Sequence, residues 1–72
     1  MNKLEITNGV ESMTINKDEA EQIDKAITES KYNNEWYYFA NQLYNFVYSK
    51  TVLFSKITVN NTQYNFILDV LG

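Results

Sequence analysis

Four consecutive aromatic residues, Trp36–Phe39, open the longest stretch of helical periodicity and limit how this chain can fold. Four successive side chains on a helix spread over about 300° of its circumference, so they cannot all face one core. Between residues 35 and 49 the apolar positions recur at helical spacing and form a broad face. That face consists of Trp36, Phe39, Ala40, Leu43, Phe46 and Val47. We therefore predict a helix that ends at about Ser49, buries this face and leaves Tyr38 exposed or held by a partner.

A second aromatic stripe runs along one flank of the same helix, about 80–120° from Trp36. This tyrosine stripe consists of Tyr37, Tyr44 and Tyr48, with Asn41 beside it. In one interpretation, the preceding helix covers the stripe, which then belongs to the core. In the other, the stripe is an interface, because tyrosine combines a large contact area and a hydroxyl with few rotatable bonds. On this second interpretation the partner-binding residues are Tyr37, Tyr38, Asn41, Tyr44 and Tyr48, with Asp18 and Glu21 on an acidic rim.

The preceding helix is recognisable from its first residues. Asn16 and Glu19 have the spacing of a capping box, which predicts a helix that begins here and ends near Glu29. Its apolar positions are few and form a narrow stripe of Ala20, Ile23 and Ile27. Such a helix lies on the surface and buries little. Residues 30–34 have no period and indicate a turn. Because this helix has so little apolar surface to offer, the interface interpretation of the tyrosine stripe gains support.

The N-terminal segment has the pattern of a β-hairpin. Residues 3–7 and 10–15 flank Asn8–Gly9, a dipeptide suited to the two positive φ values of a type I′ turn. A two-residue turn there pairs Leu4 with Met13, whereas a bulge at Gly9 would shift the second strand by one residue. In the two-residue register the face shared by both strands carries Leu4, Ile6, Met13 and Ile15, with Glu11 as the one polar residue on it.

A second hairpin is predicted from Thr51 onwards, where the apolar period changes to two. A two-residue turn at Asn60–Asn61 pairs Val59 with Thr62 and, at the open end, Leu53 with Leu68. One face of this hairpin is apolar and carries Leu53, Ile57, Val59, Tyr64, Phe66, Leu68 and Val70. The polar face has one exception, because Phe54 and Ile67 oppose each other there and require cover.

The predicted element order is therefore ββααββ. Two hairpins form an antiparallel sheet of up to four strands, packed by one long aromatic helix and one short acidic helix, in the α+β class. We expect a single domain over residues 1–72, because a split would leave two fragments too small to bury a core.

The composition removes most catalytic chemistry, since the chain contains neither Cys nor His. Disulfides, thiol nucleophiles, imidazole bases and haem ligation by His or Cys are therefore excluded. Asp18, Glu21 and Asp24 are spaced so that two carboxylates could share a hard cation, but the same spacing is common on exposed helices. We therefore predict no catalytic residue, no cofactor and no metal site, and a protein that is not an enzyme.

The charge distribution bears on the class of partner. Six basic residues, all of them Lys, stand against nine acidic ones, for a net charge of −3. An acidic chain without Arg is poorly suited to nucleic acid, whose phosphates must be neutralised. The acidity is concentrated in residues 18–35, which hold six acidic residues and two lysines. This segment is either a solvated helix face or a surface that attracts a basic partner. No membrane partner is expected, because the apolar runs are far shorter than the roughly 20 residues of a membrane span.

The general character of the chain gives the last expectation. No secretory signal is visible over Met1–Thr7, so we expect a cytoplasmic protein. A small acidic chain rich in Tyr and Asn and without catalytic apparatus is similar in character to accessory proteins of phages and mobile elements in low-GC bacteria. We therefore expect a non-enzymatic protein-binding module, most concretely an inhibitor that occludes a larger host or defence protein. The alternative is a structural or regulatory homodimer that buries the tyrosine stripe, or the Phe54/Ile67 patch, against its own copy.

Overall fold

A computed structural model of the chain describes residues 2–30 and 33–69, and it confirms the ββααββ order and the α+β class. The four strands form one antiparallel sheet in the order β2-β1-β4-β3, so β1 and β4 join the two hairpins at its centre. The elements are β1 (Lys3–Thr7), β2 (Ser12–Ile15), α1 (Lys17–Glu29), α2 (Asn34–Ser49), β3 (Lys56–Val59) and β4 (Thr62–Asp69).

The core lies between one face of the sheet and the two helices. The strands contribute Leu4, Ile6, Ile15, Ile57, Val59 and Phe66, and the helices contribute Ala20, Phe39, Leu43 and Phe46. An aromatic cluster fills the space between α2 and β4, where the Phe39 ring meets those of Phe66 and Tyr64 edge-on at centroid distances of 5.1 and 5.2 Å. Such edge-to-face contacts add to the stabilisation that burial of the rings already provides. The predicted core face of the long helix is confirmed.

The helix ends follow from side-chain caps. Asn16 Oδ1 accepts a hydrogen bond from the Glu19 amide at 2.9 Å, and Glu19 Oε1 accepts one from the Asn16 amide at 3.0 Å, so the capping box is confirmed. Asn33 Oδ1 accepts from the Trp36 amide at 3.2 Å, which starts α2 one residue earlier than predicted. After Ser49, Lys50 takes a left-handed conformation with φ of 57°, and the helix ends where expected. The predicted turn over 30–34 includes residues 31 and 32, which lie outside the described residues.

The first hairpin has a different register from both predicted ones. Leu4 pairs with Ile15 rather than Met13, a shift of two residues. The reason is the Asn8 side chain, whose Oδ1 accepts hydrogen bonds from the amides of Val10 and Glu11 at 2.9 and 2.8 Å. These bonds, typical of an Asx turn, close a loop over 8–11 instead of a two-residue turn. A shift of two keeps every side chain on its predicted face, while Glu11 moves off that face into the loop.

The prediction of the second hairpin is confirmed at the turn and is wrong at the open end, where the two strands are farthest from the turn. Asn60 and Asn61 have φ of 51° and 64°, as a type I′ turn requires, and Val59 pairs with Thr62. The strand does not begin at Thr51, however, because β3 starts only at Lys56. Leu53 is exposed rather than in the core, and the predicted partner Leu68 pairs with Leu4 of β1. Val70, assigned to the same face, lies outside the described residues.

Gln42 of α2 explains why residues 53 and 54 leave the sheet. This side chain is fully buried, and its Oε1 accepts hydrogen bonds from the amides of Leu53 and Phe54 at 3.0 and 3.3 Å. Its Nε2 donates to the Phe54 carbonyl. The Leu53 amide, which a continued strand would direct towards β4, is therefore paired with a helix side chain, and the same side chain holds the backbone of Phe54. Phe54 and Ile67 are consequently not opposed in a strand pair, and both are about half exposed.

Candidate functional site

The tyrosine stripe of α2 is exposed to solvent. Tyr37, Tyr44 and Tyr48 are 56%, 51% and 61% exposed, and Tyr38 is 54% exposed. The rings of Tyr44 and Tyr48 lie 4.6 Å apart between centroids, and that of Tyr37 meets Tyr38 edge-on at 5.9 Å. Contact between neighbouring rings makes these four side chains two aromatic pairs on the surface of the helix.

Helix α1 packs on α2 without covering this stripe. Its buried residue is Ala20, and Ile23 and Ile27 lie partly buried at the edge of the core. These three side chains pack on the core, and the tyrosine rings beside them remain more than half exposed. The exposure of the tyrosine rings therefore agrees with a stripe that lies on the surface and disagrees with one that α1 covers.

An open groove runs between the two helices beside the stripe and has a volume of about 500 Å³. The small side chain of Ala40, which is buried, forms its floor. Tyr37, Asn41 and Tyr44 line the α2 side, and Asp24, Lys25, Thr28 and Glu29 line the α1 side. This α1–α2 groove therefore combines aromatic rings on one wall with carboxylates on the other.

The carboxylate of Asp24 is the most perturbed acidic group of the groove. Burial raises its pKa, the hydrogen bond donated by Thr28 Oγ1 at 3.4 Å lowers it, and the negative charge of Glu21 raises it again. Lys25, the one lysine of this wall among the described residues, is bound to Glu21 with Nζ 3.2 Å from Oε1. The net result is a partly desolvated carboxylate whose charge is not offset by the nearest ammonium group.

The predicted site residues divide between two places. The structure brings Tyr37, Asn41 and Tyr44 together in the groove, with Tyr48 next along the helix. Glu21 lies one turn before Asp24 and binds Lys25. Asp18 lies in the first turn of α1, where it lines a separate cavity with Lys3, Lys17 and Lys50. The predicted acidic rim is thus only partly beside the tyrosines.

Asp24 and Glu29 are the acidic residues of the groove, and neither is among the predicted site residues. Asp24 lies about 40° from Ala20 around α1, at the margin of the apolar stripe that contacts α2, whereas Asp18 lies about 160° away. That spacing was a usable signal for Asp24. Glu29 is the last residue of α1 and faces the groove because of where the helix ends, which helical spacing does not indicate.

Other exposed apolar side chains lie outside the groove. Leu53, Phe54 and Ile67 are each about half exposed, and Val10 in the first hairpin loop is 90% exposed. Within residues 2–30 and 33–69, no three acidic side chains converge as metal ligands. In the same residues, neither helix has the length and apolar character needed to cross a membrane.

Comparisons of the chain with protein-family models, with curated protein sequences and with solved structures return no significant match.

Proposed function

We propose that the chain is a non-enzymatic protein-binding module that contacts its target through Tyr37, Asn41, Tyr44 and Tyr48. The observation that carries this proposal is the exposure of the tyrosine stripe on a helix whose adjacent flank is already occupied by α1. Aromatic side chains on a rigid element are the usual energetic centres of protein interfaces, since little conformational entropy is lost when they bind.

The most concrete form of the proposal is an inhibitor of the phage or mobile-element type that occludes a larger host or defence protein. The exposed tyrosine stripe and the acidic surface of α1 support this form, because aromatic side chains beside a charged rim are typical of surfaces that bind another protein. The composition supports it as well, since Asn, Lys, Ile and Tyr make up 28 of the 72 residues, as expected from AT-rich coding DNA.

The decisive experiment compares Tyr44→Ala with Phe46→Ala. Phe46 is fully buried, so its truncation should cost about 3–5 kcal/mol of stability and leave the protein largely unfolded. Tyr44→Ala should leave the melting temperature within a few degrees of wild type and weaken capture of the target from a low-GC host lysate by about 2 kcal/mol or more. Equal losses of stability in the two variants would place the stripe in the core and contradict the proposal.

A homodimer is the second candidate, and the exposed Phe54 and Ile67 side chains favour it. Static light scattering at micromolar concentration separates the two functions. A monomer contradicts the homodimer. A dimer that dissociates on Tyr44→Ala or Phe54→Ser identifies which face is buried between copies, and it would contradict binding of a foreign target through that face.

A further inference from the structure

The α1–α2 groove holds an imbalance of charge that the fold itself does not resolve. Asp24 and Glu29 line it, and among the residues described neither is ion-paired with a lysine. Lys25 is bound to Glu21 instead. Asp24 is partly buried and loses hydration without an ion-paired lysine among the described residues, which disfavours the folded protein alone. Glu29 is exposed and adds a second negative charge to the same groove. A cation from outside the chain would restore the balance.

The opposite wall of the groove is suited to the same kind of ligand. Tyr37 and Tyr44 present aromatic rings, whose faces attract ammonium and guanidinium groups. Asn41 adds an amide that can hydrogen-bond to a backbone or a side chain. The small floor residue, Ala40, leaves depth for long side chains such as those of Arg and Lys, whose methylene groups pack well against tyrosine.

A second copy of this chain that presents the same groove is a poor occupant, because Asp24 and Glu29 would face their own counterparts. It contains no Arg, and it carries the same net charge of −3. Two acidic surfaces brought together would repel each other at this point. The charge complementarity therefore favours a different protein with a basic segment.

We infer that the α1–α2 groove binds a basic, Arg- or Lys-rich segment of the target, whose cationic groups pair with Asp24 and Glu29 and lie against the rings of Tyr37 and Tyr44. This inference rests on the proposed function and specifies the chemistry of the partner. It assigns α1 a role in recognition as well as in packing.

The test uses the full-length protein, labelled with ¹⁵N, and two short peptides. One is rich in Arg, and the other has the same sequence with neutral, nearly isosteric citrulline at every Arg. We expect the Arg peptide to shift the amide resonances of the groove-lining parts of α1 and α2, and the citrulline peptide to bind at least about tenfold more weakly. Binding of both peptides with equal affinity, or of neither, would overturn the inference.

Matched variants locate the peptide within the groove. Asp24→Asn should weaken binding of the Arg peptide by about fivefold, whereas Glu11→Gln, which removes the same charge from the first hairpin loop, should leave it unchanged. Tyr44→Phe keeps the ring face and should bind normally, while Tyr44→Leu should lose about two- to fivefold. Equal losses from Asp24→Asn and Glu11→Gln would show attraction by net charge alone and would overturn the inference.

The failure of this inference is distinguishable from failure of the proposed function. If Tyr44→Ala abolishes capture of the target but the Arg peptide leaves the groove resonances unshifted, the tyrosine stripe binds a target of another chemistry. If Tyr44→Ala leaves capture unchanged, the proposed function itself is wrong. Hydrogen exchange on the captured target provides the third measurement, and protection of a segment without Lys or Arg would overturn the inference directly.

Discussion

Gln42 is the one polar side chain that the described core encloses completely, and it determines the path of the chain after α2. Its amide satisfies two backbone N–H groups and one carbonyl at Leu53 and Phe54. The buried polar atoms of Gln42 must find partners, and these partly buried backbone groups supply both donors and an acceptor. As a result, Leu53 and Phe54, which the apolar pattern assigns to a strand, are held against α2 with both of their side chains exposed.

Gln42→Leu should therefore lower the free energy of unfolding by about 1–3 kcal/mol, because it keeps the volume but leaves the partly buried backbone groups of Leu53 and Phe54 without this partner. The amides of Leu53 and Phe54 should also exchange faster with solvent. Denaturant unfolding and amide hydrogen exchange measure the two effects. Asn45→Leu is the matched control, since Asn45 Nδ2 is buried without a hydrogen-bond partner among the described atoms. Similar losses in both variants would mean that the bonds of Gln42 do not stabilise the segment.

Asp24 gives a prediction about pH. Burial raises its pKa in the folded protein above the ordinary value of 3.8, so the folded state holds this proton more tightly than the unfolded chain. The stability contributed by this group therefore falls as the pH rises from 3.8 through the raised pKa of the folded state. Asp24→Asn should accordingly be somewhat more stable than wild type at neutral pH, and this difference should shrink as the pH is lowered toward 3.8.

Unfolding midpoints measured along a pH series test the sign of this effect. Glu11→Gln, in an exposed loop, should track wild type across the same series. A variant Asp24→Asn that is less stable than wild type at neutral pH would show that the carboxylate stabilises the fold. In that case the place of Asp24 in the groove would be explained by its contribution to stability, and no binding function would be needed to explain it.

At the scale of elements, the two hairpins show how a single side chain selects a turn. Asn60 and Asn61 both adopt positive φ, so a two-residue turn forms without glycine. Asn8–Gly9 has the more favourable dipeptide for that turn, yet the Asn8 side chain accepts two backbone amides and lengthens the loop. Within this loop Gly9 takes φ of 91°, where a residue with a Cβ atom is strained.

Gly9→Ala should lower the free energy of unfolding by about 1–2 kcal/mol through this backbone strain alone. Steric overlap does not contribute, since a Cβ atom built at Gly9 meets no described atom within 4 Å. Val10→Ala in the same loop should have almost no effect, because that side chain is 90% exposed. Thermal melting of both variants checks the prediction. An unchanged midpoint for Gly9→Ala would mean that the loop relaxes to another conformation.

Which elements the sequence predicts depends on how local their determinants are. The capping box of Asn16 and the turn at Asn60–Asn61 involve residues within a few positions of one another, and both were predicted. The residue at which β3 begins depends on Gln42, which lies on α2, 11–12 residues before Leu53 and Phe54. Periodicity alone therefore predicts a strand that starts too early in the chain. The tyrosine stripe was predictable from helical angles, whereas the contribution of Glu29 depends on how α1 ends over the groove.

At the scale of the whole molecule, charge is distributed unevenly over a body measuring 33 × 25 × 19 Å. The screening length is about 10 Å at 0.1 M salt, so a partner approaching one end responds to the charges of that end more than to the net charge. Residues 18–35 carry a local charge of −4, and the rest of the chain sums to +1. A basic partner should therefore be guided towards α1 before it contacts the tyrosine stripe.

Asp18→Lys tests this guidance because Asp18 is exposed in the first turn of α1, outside the groove lining. The substitution should slow association of the Arg peptide, or of the captured target, and leave the dissociation rate nearly unchanged, since distant charges act on encounter rather than on contact. The difference from wild type should vanish at about 1 M salt, where screening acts over roughly 3 Å.

Asp24→Asn should instead speed dissociation, because it removes a carboxylate that we infer to contact the ligand. Stopped-flow or surface-binding kinetics over a salt series separates the two. If Asp18→Lys changed mainly the dissociation rate, Asp18 would be a contact residue and the separation of steering from binding would be wrong.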